Sequence, residues 1–417
     1  MSYVHTLQGD ILMCNKCRSS HSQAPHSDAD VDTKRRHLLL GGSAISAAAA
    51  LTPSFISFSS MAQTNAAPNM AARDSQAWAA SGPNSAFKSI MIPRRAVGPK
   101  DVSLEILYAG ICHSDIHTVH GDWGAPQYPC VPGHEIVGRV VAVGSQVTRF
   151  KVGDIGGVGC MVNSCGECAN CLADREQNCL NGTTFTYGSE DKISGGYTFG
   201  GYSKQVVVRE HFVVNVPTSM DISRVAPIMC AGITTFSPMQ HWSLEKNQHI
   251  GVVGIGGLGH MAVKLAIARG AKVTALTTSR NKFEAIRAMG AEPVLWTDNN
   301  ALRGLTASMD MMISTIPYPF SMQPLLNLMK LDATFVNVGQ LGTIDGLNGM
   351  MMGFNRHSIA GSMIGGMKET QEVVNYCAQH NVLPDVEIIK PSEIDEAWRR
   401  VQDKDIQFRF VIDMQQA

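Results

Sequence analysis

His249-Ile250-Gly251-Val252-Val253-Gly254-Ile255-Gly256-Gly257-Leu258-Gly259-His260-Met261-Ala262-Val263-Lys264-Leu265-Ala266 reads as an apolar strand, a glycine turn and a helix. Gly254 permits the tight turn, Gly256 lets backbone approach a pyrophosphate, and Gly259 brings the helix against the strand, with Gly257 and Leu258 completing the loop. The helix N-terminus behind such a turn carries unpaired N–H groups, which suit phosphate. A glycine pattern alone is weak; the strand before it and the helix after it supply the required context. Working outward, a second strand follows at Lys272-Val273-Thr274-Ala275-Leu276. Asp310-Met311-Met312-Ile313-Ser314 and Thr334-Phe335-Val336-Asn337-Val338-Gly339 read as further buried strands, with a helical stretch over 322–330 between them. This alternation is that of a doubly wound parallel sheet, with the methionines as core filler.

The end of the second strand decides which dinucleotide fits. An acid there would bind the adenosine ribose of NAD. The chain instead reads Thr277-Thr278-Ser279-Arg280-Asn281-Lys282, with no acid before Glu284. Hydroxyls at Thr278 and Ser279 and cations at Arg280 and Lys282 suit the extra 2′-phosphate of NADP(H). The competing reading is a solvated loop with ordinary surface charge.

Upstream, residues 102–144 alternate β-branched residues with turn signals, as short strands of a barrel-like domain would. Cys112 and His134 fall at the ends of such segments, and Cys230 follows later. Two thiolates and an imidazole leave a tetrahedral Zn²⁺ one open position, as a catalytic site requires. Spacing does not gather these three, and each taken singly is equally a buried core side chain. The second cluster is more specific: Cys165, Cys168, Cys171 and Cys179 form C-x2-C-x2-C-x7-C. Four thiolates this close enclose one zinc completely and make a structural site, with an iron–sulfur cluster as the alternative. Cys130, Cys160 and Cys377 read as packed thiols.

The amino-terminal region has a different character. Thr33-Lys34-Arg35-Arg36 precedes a weakly apolar, Ala/Ser-rich run ending at Ser60-Met61-Ala62. A basic pair, such a run and small residues before Gln63 make an expected secretory signal, and Arg35-Arg36 resembles a bacterial twin-arginine signal. Lys34 departs from that pattern, and the alternative is a cytoplasmic tail. Cys14 and Cys17 read as incidental. The run is shorter than the roughly 20 apolar residues of a membrane span. Residues 63–83 lack periodicity and are expected to be linker, with the folded region beginning near Ala86.

The 417-residue chain, with a net charge of -1 and 17% charged residues, exceeds one ordinary core. Its near-neutral balance gives no basic face for nucleic acid.

Gly110-Ile111-Cys112-His113-Ser114-Asp115, Pro132-Gly133-His134-Glu135, the four-cysteine cluster, Cys230-Ala231-Gly232-Ile233-Thr234-Thr235, the glycine turn and Ile359-Ala360-Gly361-Ser362-Met363-Ile364-Gly365-Gly366 occur in order. Together they resemble the zinc-containing medium-chain dehydrogenases, and within them the cinnamyl-alcohol-dehydrogenase-like NADPH aldehyde reductases of bacteria. The resemblance implies an α/β protein: a GroES-like β-barrel catalytic domain from 86–227 and 362–417, and a Rossmann domain over 228–361, with 1–85 as leader and linker. It implies that Cys112, His134 and Cys230 hold a catalytic zinc. Glu135 would approach the metal during ligand exchange, and Asp115 would orient His134. Ser114 would hydrogen-bond the substrate oxygen and protonate it on reduction through a relay, and His117 would pass the proton toward solvent in the reverse direction. Trp123 would line the substrate cleft or pack locally. The implied activity is NADPH-dependent reduction of aldehydes to primary alcohols and its reverse. An NAD-preferring alcohol oxidiser and a non-catalytic zinc- or nucleotide-binding protein are the alternatives. A homodimer is expected by the same resemblance, and a periplasmic location by the leader.

Overall fold

The computed structural model describes residues 71–417, apart from 340, 341, 343–346, 404, 406, 407 and 417. The leader expected at 33–62, and Cys14 and Cys17, lie outside the described residues.

The stretch read as linker holds a strand. β1 (Arg73–Ala79) pairs antiparallel with β2 (Lys88–Arg94), so the expectation of linker up to residue 83 and a domain start at 86 is corrected. The physical reason is that β1 is anchored by backbone rather than by an apolar stripe. The Trp78 N–H donates to the Tyr202 carbonyl (2.8 Å), and Ala80 exchanges two backbone bonds with Cys130 (2.9 and 2.8 Å). Its buried residues include Ala77 and Ala79, too small to mark a period in sequence.

β3 (Asp101–Gly110) is the spine of the next layer, buried along most of its length. It is followed by α1 (His113–His120), β4 (Ile136–Val143), β5 (Ile155–Val158), β6 (Met161–Asn163), α2 (Ala169–Leu172), β7 (Thr184–Phe185), β8 (Gln205–Arg209), β9 (Val214–Asn215) and α3 (Ala231–His241). The chain then alternates: β10 (His249–Val253), α4 (Gly257–Ala268), β11 (Lys272–Thr277), α5 (Phe283–Ala288), β12 (Glu292–Leu295), α6 (Asn299–Arg303), β13 (Met309–Ser314), α7 (Gln323–Leu326), β14 (Met329–Asn337), α8 (Gly349–Asn355) and β15 (Ser358–Gly361). It returns to the first sheet through α9 (Met367–His380), β16 (Val386–Ile389), α10 (Ile394–Gln402) and β17 (Arg409–Asp413).

Two large sheets result. One runs β16-β17-β3-β4-β5-β9, with β8 also paired to β3, and is mostly antiparallel. The other runs β12-β11-β10-β13-β14-β15 and is parallel throughout. In that order β10 has β11 on one side and β13 on the other, so the chain changes direction at β10. The crevice at the carboxyl end of such a strand is where dinucleotides bind in doubly wound sheets. β10 is buried at all five residues, which explains its continuous apolar reading. Met309, Met311, Met312, Met322 and Met329 are all core residues, as read. The helix expected over 322–330 is shorter: α7 ends at Leu326, and Met329 already pairs with Met309. Leu325, Leu326, Leu328 and Met329 are all buried, and such an apolar run does not by itself distinguish helix from strand.

Candidate functional site

β3 ends at Gly110, and the chain turns through Ile111 and Cys112 into α1. Cys112 is the N-cap of α1, and its N–H donates to Asp115 Oδ2 at 2.9 Å. Asp115 is fully buried and does more than cap. Its Oδ1 accepts from Gly133 N–H at 3.1 Å and faces His134 Nδ1 at 3.0 Å, while the Tyr202 hydroxyl donates to Oδ2 at 3.4 Å. One carboxylate therefore fixes Cys112, the turn before His134, and the His134 ring. With Nδ1–H committed to Asp115, His134 presents Nε2 as a lone pair.

Cys230 arrives from the far side as the N-cap of α3. Its Sγ lies 4.0 Å from Cys112 Sγ. Cys112, His134, Cys230 and Glu135 are all buried, and their ligand atoms lie within 4.8 Å of one another. The Cys112 thiol is held well below its ordinary range by its bond to the Cys230 thiol, against the effect of burial, with Arg409 and His134 adding to the lowering. Both Glu135 carboxylate oxygens are buried without a hydrogen bond, and burial pushes its pKa up to about 8. A buried carboxylate with open lone pairs beside two thiols and an imidazole is the donor set of a divalent metal, and its softness suits zinc. Gly110 is required here, because a Cβ at that position would lie 2.0 Å from Glu135 Oε2.

The second cluster also closes. Cys165, Cys168, Cys171 and Cys179 place their Sγ atoms within 4.8 Å of one another. Cys165 Sγ is 3.8 Å from Cys171 Sγ, which is 3.5 Å from Cys168 Sγ. Backbone N–H groups of Cys168 and Leu180 donate to the sulfurs of Cys165 and Cys168, each at 3.4 Å. Such bonds favour thiolate, and those from Glu167 and Cys168 bring Cys165 down to about 6. Among the described residues no further Cys, His, Asp or Glu joins the four sulfurs, which is the donor set of a closed, structural site.

The glycine turn has the geometry read from the sequence. Gly254 has φ +85°, and a Cβ on Gly259 would lie 1.9 Å from the Gly254 carbonyl. A Cβ on Gly256 would meet nothing within 4 Å, leaving the space a pyrophosphate needs. Gly257 and Leu258 form the first turn of α4, both half-buried. At the end of β11, Thr278 and Arg280 are exposed, Ser279 is half-buried, and Lys282 Nζ donates to the Ile255 carbonyl at 2.8 Å. The hydroxyls and cations thus lie at the strand end beside the turn, with Lys282 tied back to it.

Ser114 and His117 sit on the first two turns of α1. Ser114 Oγ is 3.7 Å from Cys112 Sγ. His117 Nδ1 pairs with Asp122 at 2.7 Å, and its ring lies 5.1 Å from that of Trp123, which is 48% exposed. No hydrogen bond joins Ser114 to His117 among the described residues.

Alcohol dehydrogenase GroES-like domain describes the family model that matches residues 98–218, and zinc-binding dehydrogenase the one that matches 257–379. An NADP-dependent alcohol dehydrogenase C of Mycolicibacterium smegmatis is 46% identical over 339 residues, covering 81% of this chain and 97% of its own. The chain belongs to the zinc-binding, medium-chain alcohol dehydrogenases. An Escherichia coli aldehyde reductase, YahK, is 46% identical over 77% of this dehydrogenase and 93% of its own length. Among solved structures, a cinnamyl alcohol dehydrogenase of Helicobacter pylori complexed with NADP(H) superposes with a TM-score of 0.78 at 38% identity, over 83% of this chain and 99% of its own. One from Sorghum bicolor gives 0.79 at 36% identity, over 82% and 98%.

Several residues of this dehydrogenase's site were not read from its sequence. Arg409, on β17, donates to the Ile111 carbonyl at 3.0 Å and faces Glu135 at 3.0 Å. A Cβ on Gly257 would lie 2.7 Å from its guanidinium, so Arg409 touches both the metal centre and the glycine turn. Asp122 holds His117, and Tyr187 stacks on His134 with ring centroids 5.8 Å apart. None of the three stands in a motif. Cys160, read as a packed thiol, is half-buried, and a hydrogen bond with the Cys230 thiol holds it below its ordinary range against the effect of burial.

Proposed function

We propose that this protein reduces aldehydes to primary alcohols, and catalyses the reverse, with NADPH as hydride donor and zinc held by Cys112, His134 and Cys230. The observation that carries this reading is the convergence of those three donors and Glu135 within 4.8 Å, joined through Arg409 to the glycine turn. When bound, zinc supplies a Lewis acid at the carbonyl oxygen and the nicotinamide supplies the hydride. The chain does the rest. Asp115 fixes the tautomer of His134 and the cap at Cys112. Glu135, ion-paired with Arg409 at 3.0 Å but accepting no hydrogen bond, would be able to turn toward the metal during ligand exchange. In reduction Ser114 gives the substrate oxygen its proton and His117, held by Asp122, would return one from solvent; in alcohol oxidation the proton would leave by the same route. Among the described residues no hydrogen bond joins Ser114 to His117, so the relay would need a bridging group between them.

Gly254, Gly256, Gly257, Leu258 and Gly259 hold the pyrophosphate, and Thr278, Ser279, Arg280 and Lys282 the 2′-phosphate. Four-sulfur ligation by Cys165, Cys168, Cys171 and Cys179 gives a second, structural zinc. The substrate is a small aldehyde or alcohol. Two further readings rest on less. A homodimer is supported by β15, which lies at the edge of its sheet, and by exposed apolar residues nearby, Met350 at 67% and Phe354 at 77%. Twin-arginine export to the periplasm is supported by Arg35-Arg36 and the run that follows; a mature chain from the native host beginning near Gln63 would support it, and one beginning near Met1 would not. No helix among the described residues is long and apolar enough to cross a membrane.

The test of the main reading follows NADPH and NADH absorbance with benzaldehyde, cinnamaldehyde and butanal, before and after chelation. Chelator-sensitive oxidation, faster with NADPH, is the expected result. Faster oxidation of NADH at equal concentration overturns the cofactor assignment.

A further inference from the structure

α4 begins directly behind the pyrophosphate turn, and one face of it is bolted to the catalytic domain. His260, fully buried in the first turn, makes the first contact. Its Nδ1 lies 3.3 Å from the Gly256 carbonyl, and the Asp385 N–H donates to its Nε2 at 3.3 Å. The second bond fixes the tautomer: Nε2 is the acceptor, so Nδ1 carries the proton and donates to Gly256. The ring stacks on Phe408, with centroids 4.7 Å apart and planes inclined by 18°. Lys264, one turn later on the same face, donates to the Leu383 carbonyl at 2.8 Å and to Asp385 Oδ1 at 2.7 Å. Arg224, from before α3, grips the same segment through the Pro384 carbonyl at 2.9 Å and Asp385 Oδ1 at 3.0 Å. Asp385 leads directly into β16, the partner of β17, and β17 carries Arg409.

We propose that His260 is a positioning residue for the cofactor: it ties the Gly256 end of the pyrophosphate turn to the 383–385 segment and so fixes the nucleotide site relative to the metal centre. This rests on the nucleotide reading above. His260 shares hydrogen bonds with both domains, and its neighbours leave no room for a second proton. Burial, with Lys264 and Arg409 nearby, pushes its pKa down to about 3, so the ring is neutral wherever the enzyme works. A neutral imidazole donates to Gly256 and accepts from Asp385 while stacking on Phe408. Without it the turn loses its own tie to the 383–385 segment and is held there only through Lys264, one turn further along α4, so a bound dinucleotide must order the turn itself, which weakens its binding.

The test is a fluorescence titration of NADPH on the zinc-loaded full chain, with zinc content and thermal midpoint measured alongside. His260→Phe keeps the stack but removes the acceptor. It is expected to raise the NADPH dissociation constant about tenfold, the loss of one buried hydrogen bond with a stranded N–H, and to raise KM for NADPH by more than it lowers kcat. His260→Gln, whose amide accepts from Asp385, should recover most of that loss. Lys264→Met cuts the same link from the next turn and should weaken NADPH binding even if His260→Phe does not fold. A merely structural histidine would lower the thermal midpoint and leave NADPH affinity unchanged, and that outcome overturns the inference. Failure of the unsubstituted protein to bind either nucleotide would overturn the functional reading itself, so the two failures are distinguishable.

Discussion

Asp115→Asn is the perturbation whose size the structure fixes best. The carboxylate is fully buried and receives four groups: His134 Nδ1 at 3.0 Å and Gly133 N–H at 3.1 Å on Oδ1, and Cys112 N–H at 2.9 Å and the Tyr202 hydroxyl at 3.4 Å on Oδ2. An amide has one acceptor oxygen and one NH₂. If the NH₂ replaces Oδ1, it faces two donors, and His134 must turn its proton to Nε2, the atom the metal needs. If it replaces Oδ2, it faces the Cys112 N–H and undoes the cap that aims the Cys112 thiol. Either way one backbone donor is stranded, at about 1–3 kcal/mol. Loss of the partner that orients a metal-bound histidine costs roughly 10–100-fold in metal affinity, equivalent to about 1.4–2.7 kcal/mol. The two estimates agree. The assay is competition for zinc with a chromophoric chelator, in which the four-cysteine site serves as internal standard. Zinc should leave Asp115→Asn in two phases, one unchanged and one at 10–100-fold lower chelator. Release indistinguishable from that of the unsubstituted protein would refute the claim that Asp115 sets the His134 tautomer.

Other perturbations separate the parts. Cys168→Ser should lower bound zinc from about two to about one per chain and reduce thermal stability, with the remaining zinc still supporting turnover; metal analysis with a melting curve checks both. Arg280→Ala should raise KM for NADPH by roughly 10–100-fold, the loss of a charge-assisted phosphate contact, while KM for NADH stays within about twofold. Glu176 gives a pH test. Burial pushes its carboxyl up, but the bond from His211 Nε2 at 2.6 Å and that from Met367 N–H at 3.0 Å outweigh it and hold it below the ordinary carboxylate range. A depressed carboxylate stabilises the fold above its unfolded pKa, and that contribution is lost as pH falls through the lowered value. The stability gap between the protein and Glu176→Gln should be constant near neutrality and shrink below about pH 4, as urea melts at a series of pH values would show.

How much of this was legible in sequence depended on distance along the chain. The four-cysteine site and the glycine turn are local, so spacing, with the flanking strand and helix for the turn, was enough to pick out their residues. Cys112, His134 and Cys230 come from the end of β3, the turn before β4 and the cap of α3; only a family resemblance could gather them, and the fold then did so. Arg409 was invisible for the same reason carried further: it lies near the carboxyl end, in a strand with no motif, and acquires meaning only because β17 pairs with β3. β1 was missed because its buried side is largely alanine and its anchoring is backbone to backbone. Asp122 and Tyr187 were unreadable because each acts by touching one histidine, a contact set by loop geometry rather than by pattern.

The central claim is that hydride transfer occurs at the metal held by Cys112, His134 and Cys230. Its most direct test is the initial rate of NADPH oxidation with cinnamaldehyde by Cys112→Ser, with zinc counted in the same samples. The account predicts that the variant keeps its structural zinc and loses at least about a thousandfold in turnover, the scale of electrostatic stabilisation lost at a reacting oxygen. Full turnover by a Cys112→Ser protein would contradict it.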